Sequence, residues 1–159
     1  MINKEKKIMK KETIYIDTSV ISAYYDDRAK DRREATTKFW TQILPNYKVY
    51  ISDITVEELE DTKDETLRKR LLKAIKDFEV LKTNQKIEDL ANAYIENDVF
   101  PERYFDDALH VAIASFYEIS YLVSWNFEHM VKVKTRRLVR LVNALEGFKE
   151  IEIVSPPEL

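Results

Sequence analysis

The chain has 159 residues, of which 45% are hydrophobic and 35% charged, a balance that fits one soluble domain and excludes a disordered chain. No apolar run approaches the roughly 20 residues that span a bilayer, and the absence of cysteine excludes disulfides, thiol nucleophiles and zinc-thiolate sites. The net charge of −3 gives the chain no overall attraction to nucleic acid, so any such binding would need a local basic surface.

The first twelve residues are rich in lysine and contain no apolar signal-peptide core. We interpret residues 1–12 as a basic, solvated tail that precedes a domain at residues 13–159. A nucleic-acid-binding arm is the alternative for this tail. A cytoplasmic location is the default expectation.

Five short segments have the composition of β-strands. The first is apolar and ends at Asp17, where the following Thr and Ser provide a helix N-cap signal. The five predicted strands cover residues 13–17, 47–52, 78–81, 121–124 and 151–154.

The segments between the strands carry apolar residues at helical spacing. In the fifth of these helices a long apolar run contains His110 as its only polar residue, so we expect this helix to be buried nearly all round. Gly147, the only glycine, ends the last helix. The predicted helices cover residues 32–44, 54–60, 64–77, 85–97, 104–117 and 135–146.

The alternation of strands and helices predicts a three-layer α/β/α domain with a central, mainly parallel sheet of four to five strands. Ligands bind to such sheets outside the carboxyl ends of the strands. Three segments with polar side chains lie at or just past those ends, at residues 17–19, 52–58 and 124–126.

Three acidic residues, Asp17, Glu58 and Asp107, stand where the pattern otherwise calls for packing or capping. Carboxylates that converge near a core repel one another unless a cation neutralises them. Oxygen ligands without cysteine or histidine favour Mg2+ or Mn2+ over zinc. Each acid alone is explained equally well as a helix cap or a solvated residue, so the hypothesis depends on the order and context of all three.

The segments around these acids are IYIDTS at residues 14–19, ISDITVEEL at 51–59 and DALHVAIA at 107–114. They resemble three successive motifs of the PIN domain family. Each motif is short, and the specificity lies in having all three in order. The resemblance covers about residues 13–155, nearly the whole chain.

By this resemblance, Asp17, Glu58 and Asp107 take the positions of the family's metal-binding acids. Glu58 is chosen over Glu57 because the family's acid directly precedes a leucine, as Glu58 does here. The fourth motif departs from the common pattern, since Asn126 stands where the family usually has Asp. An amide oxygen can ligate a metal or hold its water but adds no charge, which weakens the predicted site.

The Asp-Ala-Leu-His and Trp-Asn-Phe forms resemble a PIN subgroup, so we interpret Asn126 as a variant. We expect His110 and His129 to be structural, because hydrolysis by a metal-bound hydroxide needs no general base. His110 is expected to form hydrogen bonds in the core, towards the turn after the fourth strand. Trp125 is expected to pack in the core or at its rim.

The resemblance implies a ribonuclease that uses Mg2+ or Mn2+ to hydrolyse RNA phosphodiester bonds. Asp17 and Asp107 would hold the metal, and Glu58 and Asn126 would complete or support its shell. The resemblance also implies a VapC-type toxin with a small antitoxin partner, and a homodimer. The lack of a long apolar run predicts no membrane association.

Two other interpretations remain. One is a PIN-like RNA-binding or protein-interaction module with weak or no catalysis, in which the basic cluster at residues 132–140 binds RNA. The other is a receiver-like signalling domain, which is disfavoured because the first strand does not end in an acidic pair and no late lysine is suitably placed.

Overall fold

The computed structural model describes residues 11–159, so the predicted basic tail lies almost wholly outside the described residues. Within them, strands and helices alternate along the chain. The strands are β1 (Thr13–Ile16), β2 (Lys48–Ser52), β3 (Glu79–Leu81), β4 (Tyr121–Val123) and β5 (Glu152–Val154). The α-helices are α1 (Thr18–Ala23), α2 (Lys30–Lys38), α3 (Asp53–Glu60), α4 (Glu65–Ala74), α5 (Gln85–Glu96), α6 (Phe105–Phe116) and α7 (Val133–Glu146).

The five strands form one parallel sheet in the order β3-β2-β1-β4-β5, which confirms the predicted α/β architecture. The central strand β1 pairs with β2 in the register Ile14 to Val49, and with β4 in the register Tyr15 to Leu122. The chain runs outwards from β1 to β3 and then crosses back to β4. The topological switch point, where such sheets bind ligands, therefore lies between β1 and β4.

Strand β1 shows how the sheet separates two hydrophobic cores. Ile14 and Ile16 are fully buried in the core on one face, together with residues of α1 and α4, whereas Tyr15 is buried in the core of α5, α6 and α7. Successive strand side chains point to opposite faces of a sheet. Because both faces of β1 are buried, helices must cover both, which produces the three layers.

Helix α6 is buried along most of its length, as its composition predicts, from Ala108 to Ser115. It leads into β4, which is parallel to the other strands. The first turn of α6 therefore lies at the carboxyl edge of the sheet, and its buried length holds that turn in place. In the described residues no helix is long and apolar enough to cross a membrane.

The predicted helix at residues 32–44 is not α-helical throughout. Helix α2 ends at Lys38, and the chain continues as a π-helical turn at Phe39–Ile43 and a 3₁₀ turn at Leu44–Asn46. Phe39 and Leu44, five residues apart, are both buried, a spacing that suits a wider turn better than the 3.6 residues of an α-helix. The prediction that Gly147 ends the last helix is confirmed by its left-handed φ of 80°.

Candidate functional site

Asp17 lies where β1 ends and α1 begins, and it is only 4% exposed. Its Oδ1 accepts hydrogen bonds from Ser19 Oγ at 2.5 Å and from the Val20 N–H at 3.3 Å. Its Oδ2 accepts from Ser124 Oγ, which follows β4, at 2.6 Å. Neighbouring donors thus orient both oxygens, while burial raises the pKa of Asp17 above its ordinary value.

Asp107 lies in the first turn of α6, where the helix dipole favours a negative charge. Its Oδ2 accepts from Asn126 Nδ2 at 3.2 Å. The Asn126 N–H donates to Ser124 Oγ at 2.9 Å, and this hydroxyl also donates to Asp17. One chain of hydrogen bonds, from Asp17 through Ser124 and Asn126 to Asp107, therefore crosses the switch point. We call it the switch-point chain.

The two aspartates influence one another. Burial raises the pKa of Asp107, and the nearby charge of Asp17 raises it further, although His110 opposes this effect. A carboxylate that is both partly desolvated and repelled by another binds a proton or a cation more readily. The electrostatics of this edge therefore favour a positive ligand.

Glu58 lies on α3, which follows β2, and its side chain is 34% exposed. Its Oε1 is 2.6 Å from His110 Nε2. The neighbouring Glu57 is exposed, because consecutive helical residues point about 100° apart. The structure therefore places Glu58 at the carboxyl edge but bonds it to His110, outside the switch-point chain.

His110 is 3% exposed, and both of its ring nitrogens have partners. Nδ1 is 2.6 Å from the Tyr15 hydroxyl, which is also 2.7 Å from Ser52 Oγ at the N-cap of α3. Burial by itself lowers the pKa of His110, but Tyr15 and the Glu58 carboxylate outweigh burial and raise the pKa well above its usual value. His110 does form hydrogen bonds in the core, but the expected direction was wrong, since its partners are Tyr15 and Glu58.

Tyr15 is the site residue that the sequence interpretation missed. The available signal was a hydroxyl-bearing aromatic residue in an otherwise aliphatic strand segment.

The expected packing role of Trp125 agrees with its 8% exposure and with its Nε1, which donates to Thr36 Oγ1 at 2.9 Å. His129 lies against Tyr104, with ring centroids 3.9 Å apart.

The donors at the switch point suit a hard divalent cation. Asp17 and Asp107 are carboxylates whose charges repel one another, and the buried Thr18 Oγ1 beside Asp17 has no hydrogen-bond partner in the described chain. Within residues 11–159, however, no group of three His, Asp or Glu side chains is placed to hold a metal. Asp17 and Asp107 therefore remain the two candidate ligands at the switch point, whereas Glu58 is paired with His110.

The fold and the site define an α/β domain with an acidic edge at the switch point of a parallel sheet. The chain belongs to the PIN domain family, whose model matches residues 14–126. This match spans the whole of the switch-point chain and Glu58. A comparison with curated proteins by sequence found no match.

Solved structures share this fold at low sequence identity. VapC20 of Mycobacterium tuberculosis, described as a sarcin-ricin loop cleaving toxin, is 16% identical with a TM-score of 0.59, over 87% of this chain and 98% of that one. VapBC-1 of nontypeable Haemophilus influenzae is 17% identical with a TM-score of 0.59, over 91% and 98%. A toxin-antitoxin complex of Klebsiella pneumoniae is 19% identical with a TM-score of 0.55, over 77% and 94%.

Proposed function

We propose that the protein is a divalent-metal-dependent endoribonuclease that hydrolyses RNA phosphodiester bonds. The observation that carries the proposal is the switch-point chain, which links Asp17 to Asp107 between β1 and β4. Membership of the PIN domain family supports nuclease chemistry. The shared fold with VapC20, which is described as a sarcin-ricin loop cleaving toxin, supports RNA as the substrate.

In this proposal Asp17 and Asp107 hold Mg2+ or Mn2+, and Asn126 and Glu58 complete or support the shell. When bound, such an ion would supply an activated water for attack and would offset negative charge on the phosphate. The chain's own contribution is orientation, because Ser124 fixes one oxygen of Asp17 and shares its hydroxyl with Asn126. Ligands held in this way need little rearrangement when the ion binds.

The test is cleavage of a labelled structured RNA by the wild type, Asp17→Asn and Asp107→Asn, each with Mn2+, Mg2+ or EDTA. Asp106→Asn is the matched control, because Asp106 is exposed and shares the first turn of α6 with Asp107. We expect the wild type and the control to cleave only with metal, and the other two variants to be inactive. Full activity of Asp17→Asn, or no cleavage of several RNAs by the wild type, would contradict the proposal.

A catalytically weak or inactive RNA-binding or protein-interaction module is the second candidate. It is favoured by the neutral Asn126 and by the pairing of Glu58 with His110. In this case the basic cluster at residues 132–140 would carry RNA binding. Lys134→Glu, at an exposed residue, would then weaken binding, whereas EDTA would not.

We further propose a small antitoxin protein and a second copy of the chain as partners, acting in the cytoplasm, with residues 1–12 as a tail outside the domain. The toxin-antitoxin complex among the structural neighbours supports the antitoxin. Induced expression of the wild type, but not of Asp17→Asn, should arrest bacterial growth. Light scattering of the purified protein should give the mass of a dimer, and removal of the tail should leave RNA cleavage unchanged.

A further inference from the structure

An exposed aromatic side chain lies directly beside the candidate site. Phe127 follows Asn126 in the chain and is 48% exposed. It is the only phenylalanine with an exposed side chain in residues 11–159, which include all seven phenylalanines of the protein. Core packing therefore accounts for the other six, whereas about half of the Phe127 side chain is open to solvent.

The backbone that carries Phe127 is firmly held. The Phe127 N–H donates to the Trp125 carbonyl at 2.9 Å, and Asn126 Oδ1 accepts from the His129 N–H at 2.9 Å. The Asn126 carbonyl also accepts from the Met130 N–H at 3.0 Å. An aromatic ring presented by such a turn loses little conformational entropy when it binds a ligand.

Trp125 connects Phe127 to a positive charge. The rings of Phe127 and Trp125 have centroids 6.0 Å apart and planes at 61°, an edge-to-face contact that leaves about half of Phe127 open to solvent. The Arg32 guanidinium lies 5.3 Å from the Trp125 ring centroid. Arg32 is exposed, and no ion pair engages it within the described part of the chain.

The ring and the guanidinium match the two parts of a nucleotide. Every nucleobase has an apolar π-face that stacks on aromatic side chains, and every phosphate attracts arginine. Only bases that are not already stacked in a duplex can use such a platform. The neighbouring Asn126 belongs to the switch-point chain, so a base on Phe127 would lie beside the acidic edge.

We propose that Phe127 stacks one nucleobase of single-stranded RNA next to the bond to be cleaved, and that Arg32 binds a flanking phosphate. This inference rests on the proposed ribonuclease function. It assigns substrate binding to the Trp-Asn-Phe segment and α2 rather than to the basic cluster at residues 132–140. Stacking of this kind contributes affinity with little choice of base.

The first experiment measures binding of a single-stranded RNA that carries 2-aminopurine, using Asp17→Asn protein with Mg2+ so that the RNA stays intact. We expect binding to quench the fluorescence of the base at one position. Phe127→Leu should remove the quenching and weaken binding about tenfold or more, whereas Phe127→Trp should retain both. Tyr117→Leu is the matched control, since Tyr117 is an exposed aromatic residue at the opposite end of α6.

The second experiment uses wild-type catalytic residues and measures KM and kcat. Phe127→Leu should raise KM while kcat stays within about twofold. The reason is that stacking on Phe127 would stabilise the bound substrate and the transition state equally, so its loss weakens binding without changing the barrier between them. Arg32→Gln should weaken RNA binding and make it less salt-dependent. Loss of one phosphate contact should reduce the slope of the logarithm of the binding constant against the logarithm of salt concentration by about 0.7.

The outcomes separate the two proposals. If the wild type cleaves RNA with metal but Phe127→Leu keeps its quenching, affinity and KM, the stacking inference is wrong and the ribonuclease proposal stands. If Asp17→Asn binds RNA with quenching that depends on Phe127 but the wild type never cleaves, the platform is real and the catalytic proposal fails. Absence of both binding and cleavage overturns both.

Discussion

His110 Nε2 lies 2.6 Å from Glu58 Oε1, and this contact joins α6 to α3 at the carboxyl edge of the sheet. Residues 52 positions apart in the chain are thereby fixed relative to one another. The other nitrogen of His110 reaches Tyr15 on the central strand. The imidazole therefore ties a candidate metal ligand to the middle of the sheet.

Replacing His110 with Ala should lower the free energy of unfolding by about 1–3 kcal/mol, because the Tyr15 hydroxyl and Glu58 each lose a hydrogen-bond partner. In a double-mutant cycle measured by urea unfolding, His110→Ala and Glu58→Ala should be coupled by about 0.5 kcal/mol or more. Glu57→Ala is the matched control, because Glu57 is exposed on the same helix. Equal coupling of His110 to Glu57 and to Glu58 would contradict the observed pairing.

The stability of the metal-free protein should depend on the ionisation of Asp17. Burial raises the folded-state pKa of Asp17 above the ordinary value of 3.8, so the folded state binds more protons than the unfolded state between these two values. The Asp17 contribution to the free energy of unfolding therefore falls as pH rises through this window. The measurement is the difference in urea unfolding between the wild type and Asp17→Asn, in EDTA, from about pH 4 to 8.

In that experiment the wild type should lose stability relative to Asp17→Asn as pH rises. Saturating Mn2+ should reverse the trend at neutral pH, since it binds the ionised, folded form and stabilises it. If the difference in the free energy of unfolding between the two proteins does not change with pH, burial does not raise the pKa of Asp17.

Asn126→Asp tests the departure from the family's usual acid. The change removes the Nδ2 donor to Asp107 and places a new negative charge beside it, so the metal-free protein should lose about 1–3 kcal/mol of stability. Added Mn2+ should raise Tm more in this variant than in the wild type, because one additional negative charge attracts the ion. Asn46→Asp adds the same charge at an exposed residue and should leave the response to metal unchanged.

Tyr94 provides a prediction about the core, away from the acidic edge. Its buried hydroxyl hydrogen-bonds with Ser115 at 3.1 Å and donates to Asn143. Tyr94→Phe leaves these partners incompletely satisfied and should cost about 1–3 kcal/mol in urea unfolding. Tyr117→Phe, at an exposed hydroxyl, should change stability by less than about 0.5 kcal/mol. RNA cleavage well below Tm should be unaffected in both variants.

Local patterns in the sequence were enough to predict most of the fold. Buried strands appear as short apolar runs rich in β-forming residues, and helices show apolar residues with a period near 3.6, so both patterns can be read over a few residues. The end of the first strand before Asp17 and the end of the last helix at Gly147 are both set by residues that are adjacent in the sequence. The π-helical turn at Phe39–Ile43 was not predicted, because the wider turn depends on which side chains pack in the core, and the local sequence pattern does not specify that packing.

The sequence by itself determined the kinds of element, their order and the positions of the acids at strand ends and in the first turn of a helix. Only the tertiary structure decided which side chains meet. The contacts of His110 with Tyr15 and of Asp17 with Ser124 span 95 and 107 residues, and no local pattern specifies such a distance. Hydrogen bonds need atoms placed within a few tenths of an ångström, and that placement comes from the packing of α6 and α3 against one sheet.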